Sequence, residues 1–128
     1  MATTAAIPGL PAGARDYFDA LNAEDMEALE RVWCRHGELR AVGSRPRQGI
    51  EEVMAYFRPL FEPWVEHRDQ PTRVIADGDA VVVEVRFTGR TEAGRELVFD
   101  AVDVFDLRDG LVERLSTWYD LAWLRRQL

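Results

Sequence analysis

Apolar and polar positions divide the chain into two regimes. In the first third, Tyr17, Phe18, Leu21, Met26, Leu29, Val32 and Trp33 recur at intervals of three and four, the stripe of an amphipathic helix. Asn22 interrupts it, and "NAED" predicts a break, with Asn22 capping a second helix and Glu24 and Asp25 in its first turn, where the helix dipole favours acids. "GELRAV" alternates and predicts a short strand, "GSRPRQG" a loop, and "IEEVMAYFRPLF" returns to helical spacing until Pro59 and Pro63 bend or end it. From Trp64 onward the period is two. Strands are predicted over 64–76, 79–90, 95–107 and 111–121, punctuated by "DGD", "TEAG" and "RDG" turns. Helices followed by an antiparallel meander make an α+β architecture, in which a curved sheet wraps against helices and can enclose a cavity.

Composition narrows this to one domain. At 128 residues, 47% hydrophobic, with four Trp, six Phe and three Tyr, the chain is of single-domain size and too apolar to be intrinsically disordered. The segment 14–128 is expected to fold and the Pro/Gly-containing stretch 1–13 to be a disordered tail. Twenty-three acidic against 16 basic residues, net charge −7, disfavour nucleic acid and anionic membranes as partners and favour small molecules or proteins. No apolar run approaches the ~18 residues of a membrane span, and the first residues lack a signal-peptide pattern, so the expectation is a soluble cytoplasmic protein. Cys34, the single cysteine, excludes an intrachain disulfide and reads as a small buried hydrophobe.

Candidate chemistry starts with Asp103. Phe99, Ala101, Asp103, Phe105 and Leu107 share one face of a predicted strand, so Asp103 is a carboxylate among apolar neighbours, where desolvation raises its pKa. Either it donates a hydrogen bond into a pocket as a neutral acid, or it is buried in a salt bridge with Arg40. Phe57, Phe61, Trp64, Phe87 and Phe99 suit a greasy cavity, and Thr117 and Tyr119 alternate on the last strand to face it, leaving Trp118 outward. His67 is a further candidate binding residue; its neighbour Glu66 cannot face the same side. With two distant histidines and no H-x-E or C-x-x-C spacing, no metal site is expected.

Three stretches together resemble the nuclear-transport-factor-2-like superfamily of ketosteroid isomerases, SnoaL-like polyketide cyclases and limonene-type epoxide hydrolases: "YFDALNAEDMEAL", "VGSRPRQG" and "DVFDLRDGLVERLSTWYDL". The resemblance spans about 14–124 and implies a cone-shaped fold, N-terminal helices packed on a curved sheet around a hydrophobic pocket. It also implies a cofactor-independent isomerase or cyclase acting on a hydrophobic carbonyl- or epoxide-bearing molecule, such as a polyketide, terpenoid or steroid-like compound. Tyr17 and Asp103 fall where the isomerases place the two groups that hydrogen-bond the substrate carbonyl. Arg40 falls where they place the general-base aspartate; an arginine cannot abstract a proton at neutral pH, which leaves Glu38 as the replacement base and Arg40 as a possible partner of a developing oxyanion. The epoxide-hydrolase triad is absent, its places taken by Val85, Phe87 and Thr117. The alternative is a non-catalytic ligand-binding or dimerisation module of the same fold, and a homodimer through the open sheet face is expected in either case.

Overall fold

A computed structural model describes residues 7–128. Helices α1 (Ala12–Ala23) and α2 (Met26–Arg31) lead into strand β1 (Trp33–Ala41), the short β2 (Arg47–Gln48) and helix α3 (Ile50–Phe57). Strands β3 (Trp64–Asp77), β4 (Ala80–Thr91), β5 (Glu96–Arg108) and β6 (Leu111–Trp118) follow, and helix α4 (Leu121–Gln127) ends the chain. The architecture is α+β, as the change of period predicts.

Six strands form one curved, open sheet in the order β2-β1-β6-β5-β4-β3. Every neighbouring pair is antiparallel except β1 with β6, where Leu39 lies beside Leu115 and Ala41 beside Thr117 in parallel register. Strand alternation sends Val81, Val83, Val85 and Phe87 of β4 to the buried side and Glu84, Arg86 and Thr88 to solvent. Phe18 and Leu21 of α1 and Val53, Met54 and Phe57 of α3 pack onto that buried side. Each such side chain, fully buried, contributes about 1.5–3 kcal/mol.

Four expectations change at element boundaries. Residues 1–6 of the expected tail lie outside the described residues; residues 7–13 are not a tail, because Leu10 packs on the core and α1 has begun at Ala12. Asn22 does not cap α2. The first helix runs through it to Ala23 and ends at Glu24, whose left-handed φ of 51° breaks the helix, and Asp25 then accepts a hydrogen bond from the Ala28 N–H at 3.0 Å. His36 lies within β1, which is longer than the alternating stretch that predicts it. The last strand stops at Trp118, since Asp120 caps α4 by accepting from the Trp123 N–H.

Strand β3 is a sheet edge, which is why it tolerates Pro71. Its register shifts between Pro71 and Arg73, so the inward face reads Asp69, Pro71 and then Val74 rather than continuing in strict alternation. At its start, the Trp64 ring lies so close over Gly89 of β4 that an added Cβ would stand 2.5 Å from Trp64 Cε3.

Candidate active site

Between α1, α3 and the concave face of the sheet lies a cavity offering about 100 Å³ to the centres of water-sized groups, room for several waters or a small ring. Its wall is mostly apolar: Leu21, Leu39, Phe57, Leu60, Phe61, Trp64, Val85, Phe87, Phe99, Ala101 and Leu124. Six polar side chains break that surface: Tyr17, Tyr56, Asp69, Asp103, Thr117 and Tyr119.

Asp103 enters from β5 with its residue 4% exposed, directly opposite Thr117 of β6. Burial pushes its carboxyl up to about 6, against a hydrogen bond from Thr117 that favours the ionised form. Asp69 enters from β3, opposite Phe87 of β4. Burial, then the charge of Asp103, push it to about 7. Two carboxyl groups that share an apolar cavity and repel one another do not ionise together easily, so the pair keeps one proton over an interval near neutrality.

Tyr17 is held from α1 by edge contacts, its ring centroid 5.3 Å from Phe105 and 6.1 Å from Phe57. Burial first, then Asp103 and Asp69, raise its hydroxyl well above the ordinary range, so it remains a neutral hydrogen-bond donor. Burial raises the hydroxyls of both Tyr56 and Tyr119, and their mutual interaction raises the first further while lowering the second. The guanidinium of Arg47 lies 5.6 Å from the centre of the Tyr56 ring.

Of the residues singled out from sequence, Tyr17, Asp103, Phe57, Phe61, Trp64, Phe87, Phe99, Thr117 and Tyr119 all border this cavity. Glu38 and Arg40 do not. Both occupy the face of β1 opposite to Leu39, which is the residue that meets the cavity. There Arg40 Nε donates to Glu38 at 3.1 Å and Arg114 approaches Glu38 at 3.9 Å. Strand alternation thus removes Glu38 as a base, and it removes both the Arg40–oxyanion contact and the Arg40–Asp103 bridge. His67 is also off the cavity wall: its side chain is 2% exposed, stacks on Phe61 at 3.8 Å and meets Glu24 through Nε2 at 3.0 Å.

Asp69 is the cavity carboxylate that sequence reasoning missed. The alternation gave no signal, since Glu66, Arg68 and Gln70 on one face and His67 and Asp69 on the other are all polar. Its backbone is engaged from outside the sheet. The Asn22 side chain accepts from the Asp69 N–H at 2.7 Å and donates to the Asp69 carbonyl at 2.9 Å.

Among the described residues, no group of three His, Cys, Asp or Glu is placed to hold a metal ion. Nor is any described helix long and apolar enough to cross a membrane.

Residues 14–115 match the SnoaL-like domain, and the chain belongs to that family. A solved structure from Jannaschia sp. CCS1 bearing the name of a SnoaL-like polyketide cyclase superposes with a TM-score of 0.80 at 23% identity, over 88% of this chain and 86% of that one. TerC, co-crystallised with polyporic acid, is similar at 0.79 and 16% identity over 89% and 93% of the two chains. A limonene-epoxide-hydrolase-like enzyme of M. tuberculosis is similar at 0.74 and 20% identity over 91% and 86%. These likenesses establish the cone-shaped fold shared with nuclear-transport-factor-2-like and ketosteroid-isomerase-like proteins. No curated protein sequence matches the chain.

Proposed function

We propose that the protein is an acid/base isomerase or cyclase acting on a hydrophobic, carbonyl-bearing small molecule. The observation that carries this reading is the pair of buried carboxyl groups, Asp69 and Asp103, opening on one apolar cavity beside the Tyr17 hydroxyl. Acid/base work needs two groups whose environments separate their protonation, and this pair supplies them.

The roles follow from the electrostatics. Thr117 donates a hydrogen bond that favours the ionised form of Asp103, and a charge on Asp103 in turn favours the proton staying on Asp69. The Asp103 carboxylate removes a proton from carbon next to the carbonyl. Neutral Asp69 and Tyr17 donate hydrogen bonds to the oxygen as it becomes an enolate. In isomerisation, protonated Asp103 returns the proton at a second carbon; in cyclisation, the enolate carbon attacks a second carbonyl carbon of the same folded substrate, whose C=O π bond breaks to an alkoxide that takes the proton back from Asp103. Relative to the resemblance-based expectation, Asp103 changes from neutral donor to base and Asp69 takes the donor's place. The family's SnoaL-like membership and the polyketide-cyclase names of its structural neighbours support the same reaction class.

Solvent exchange tests the step without a known product. An aromatic ketone such as α-tetralone, incubated with the protein in deuterium oxide, is expected to gain deuterium next to its carbonyl faster than in buffer. Asp103→Asn is expected to reduce that rate about a hundredfold, the typical loss of a general base, and Asp69→Asn, whose amide still donates a hydrogen bond, only about tenfold. The rate should peak between the two carboxyl values, about 6 and about 7, and fall on either side. If, across a panel of aromatic and terpenoid ketones, wild-type protein exchanges no faster than the double Asn variant, the reading is wrong.

A further inference from the structure

The side chain of Asn22 is used in an unusual way. It sits in the last turn of α1, yet both of its functional atoms leave the helix and bind the main chain of one residue, Asp69, 47 positions away in sequence. The geometry reproduces what a neighbouring strand would offer, an acceptor for the N–H and a donor for the C=O. Strand β3 has β4 on one side only, and at Asp69 that ladder partner is Phe87. The free side of an edge strand is where a chain drifts, frays or admits water. Here the residue clamped on that side carries a cavity carboxyl.

The same helix supplies a cavity group of its own. Tyr17 precedes Asn22 by five residues on α1, and its hydroxyl and the Asp69 carboxyl are close enough to feel one another's charge. A second link follows the first, since Glu24, just past the end of α1, holds His67 through Nε2 at 3.0 Å, and His67 supports Phe61 by stacking. The helix end is therefore tied to β3 at alternate positions, His67 by its ring and Asp69 by its backbone.

We infer that Asn22 is a positioning residue for the Asp69 carboxyl: its two hydrogen bonds fix the edge strand so that Asp69 and Tyr17 face the same point in the cavity. The role rests on the proposed acid/base reading for its catalytic meaning, but not for its test. A carboxamide is suited to it because it presents a donor and an acceptor on two separate atoms. Carboxylate would oppose the Asp69 carbonyl, and a hydroxyl is too short to serve both atoms.

The test follows the Asp69 carboxyl carbon by NMR as pH is varied, in wild type, Asn22→Ala, Asn22→Gln and Asp25→Ala. The last variant removes the α2 cap and serves as a stability control away from the cavity. In Asn22→Ala, β3 is released, water reaches the carboxyl, and its midpoint is expected to fall by about one unit or more from the buried value. Asn22→Gln, which keeps both atoms on a longer stem, should fall less, and Asp25→Ala should lose thermal stability with no change of midpoint. Where α-tetralone exchange is measurable, Asn22→Ala should lose about tenfold in kcat with KM little changed, the pattern of a misplaced group. A purely structural Asn22 would lower Tm and leave the midpoint in place; that result in both Asn22 variants overturns the inference. Should Asn22→Ala not fold, the Gln variant decides. Because the titration uses no substrate, the inference can hold even if the exchange assay fails.

Discussion

The two carboxyl groups set stability against chemistry. Each is held above the ordinary carboxyl value by burial, to about 7 for Asp69 and about 6 for Asp103. The folded state therefore binds protons more tightly than the unfolded chain, whose carboxyls titrate near ~4. Their contribution is favourable at acid pH and is lost as pH rises from that value through the folded values, so this pair lowers stability by a few kcal/mol at about pH 8. Asp69→Asn is expected to raise Tm at alkaline pH, to flatten the decline of Tm between acid and alkaline buffer, and to lose activity. Thermal melts across that range check it; a variant no more stable than wild type at alkaline pH would show that Asp69 is not held above its normal range. Asp103 was legible because it stood alone among apolar neighbours in a strict alternation, a local pattern. Asp69 was not, because its strand "WVEHRDQPTRV" is polar at nearly every position and its face becomes inward only once α1 and α3 cover it. Glu38 and Arg40 illustrate the reverse failure: a resemblance supplied the place, but the parity of β1 gave that place to Leu39.

At the scale of elements, the change from three-to-four spacing to alternation located every long strand and the first three helices, since burial of one face leaves a periodic trace. The ends were less legible. Asn22 and Asp25 are both good caps, and only the left-handed Glu24 decides between them. The last strand ends at Trp118, short of its predicted end, because Asp120 accepts from the Trp123 N–H and α4 starts at Leu121. The crossing of β3 and β4 offers a sharper test of the cavity wall. A Cβ on Gly89 would lie 2.5 Å from the Trp64 ring, and that ring already packs on Phe87 at 4.8 Å. Gly89→Ala is expected to tilt Trp64 into the cavity, costing about 1–3 kcal/mol of stability through overpacking. Binding of an aromatic ketone should weaken more than Tm would suggest. Titration calorimetry alongside thermal melts checks it; unchanged binding would show that Trp64 yields outward.

On the molecule as a whole, the outward face of the sheet is mixed rather than polar. Val98 is 54% exposed and Trp118 53% exposed, with the Arg86–Asp100 pair, 3.1 Å apart, between them on the same face. We propose that this face joins two copies of the chain, because a two-fold interface can meet each such arginine and carboxylate with its counterpart. Light scattering at micromolar concentration is expected to give a dimer for wild type and a monomer for Trp118→Glu; a monomeric wild type would remove the proposal. The fold class itself was readable from order and period alone, helices before meander. Strand order was not, since periodicity marks which residues face inward but not which strand lies beside which.

That order has a consequence in time. β1 gains its parallel partner only when β6 has been synthesised, with Leu39 beside Leu115 and Ala41 beside Thr117, each pair 76 residues apart in sequence. Such distant pairing is slow to form, and in the N-terminal half the two-residue β2 is the strand neighbour that β1 has. The hairpin of β3 and β4 can form early, but Leu39 and Thr117 close the opposite wall last. A chain halted before Leu111 lacks the Thr117 and Tyr119 side of the cavity and the parallel neighbour of Leu39, so the cavity wall is the last part of the molecule to close.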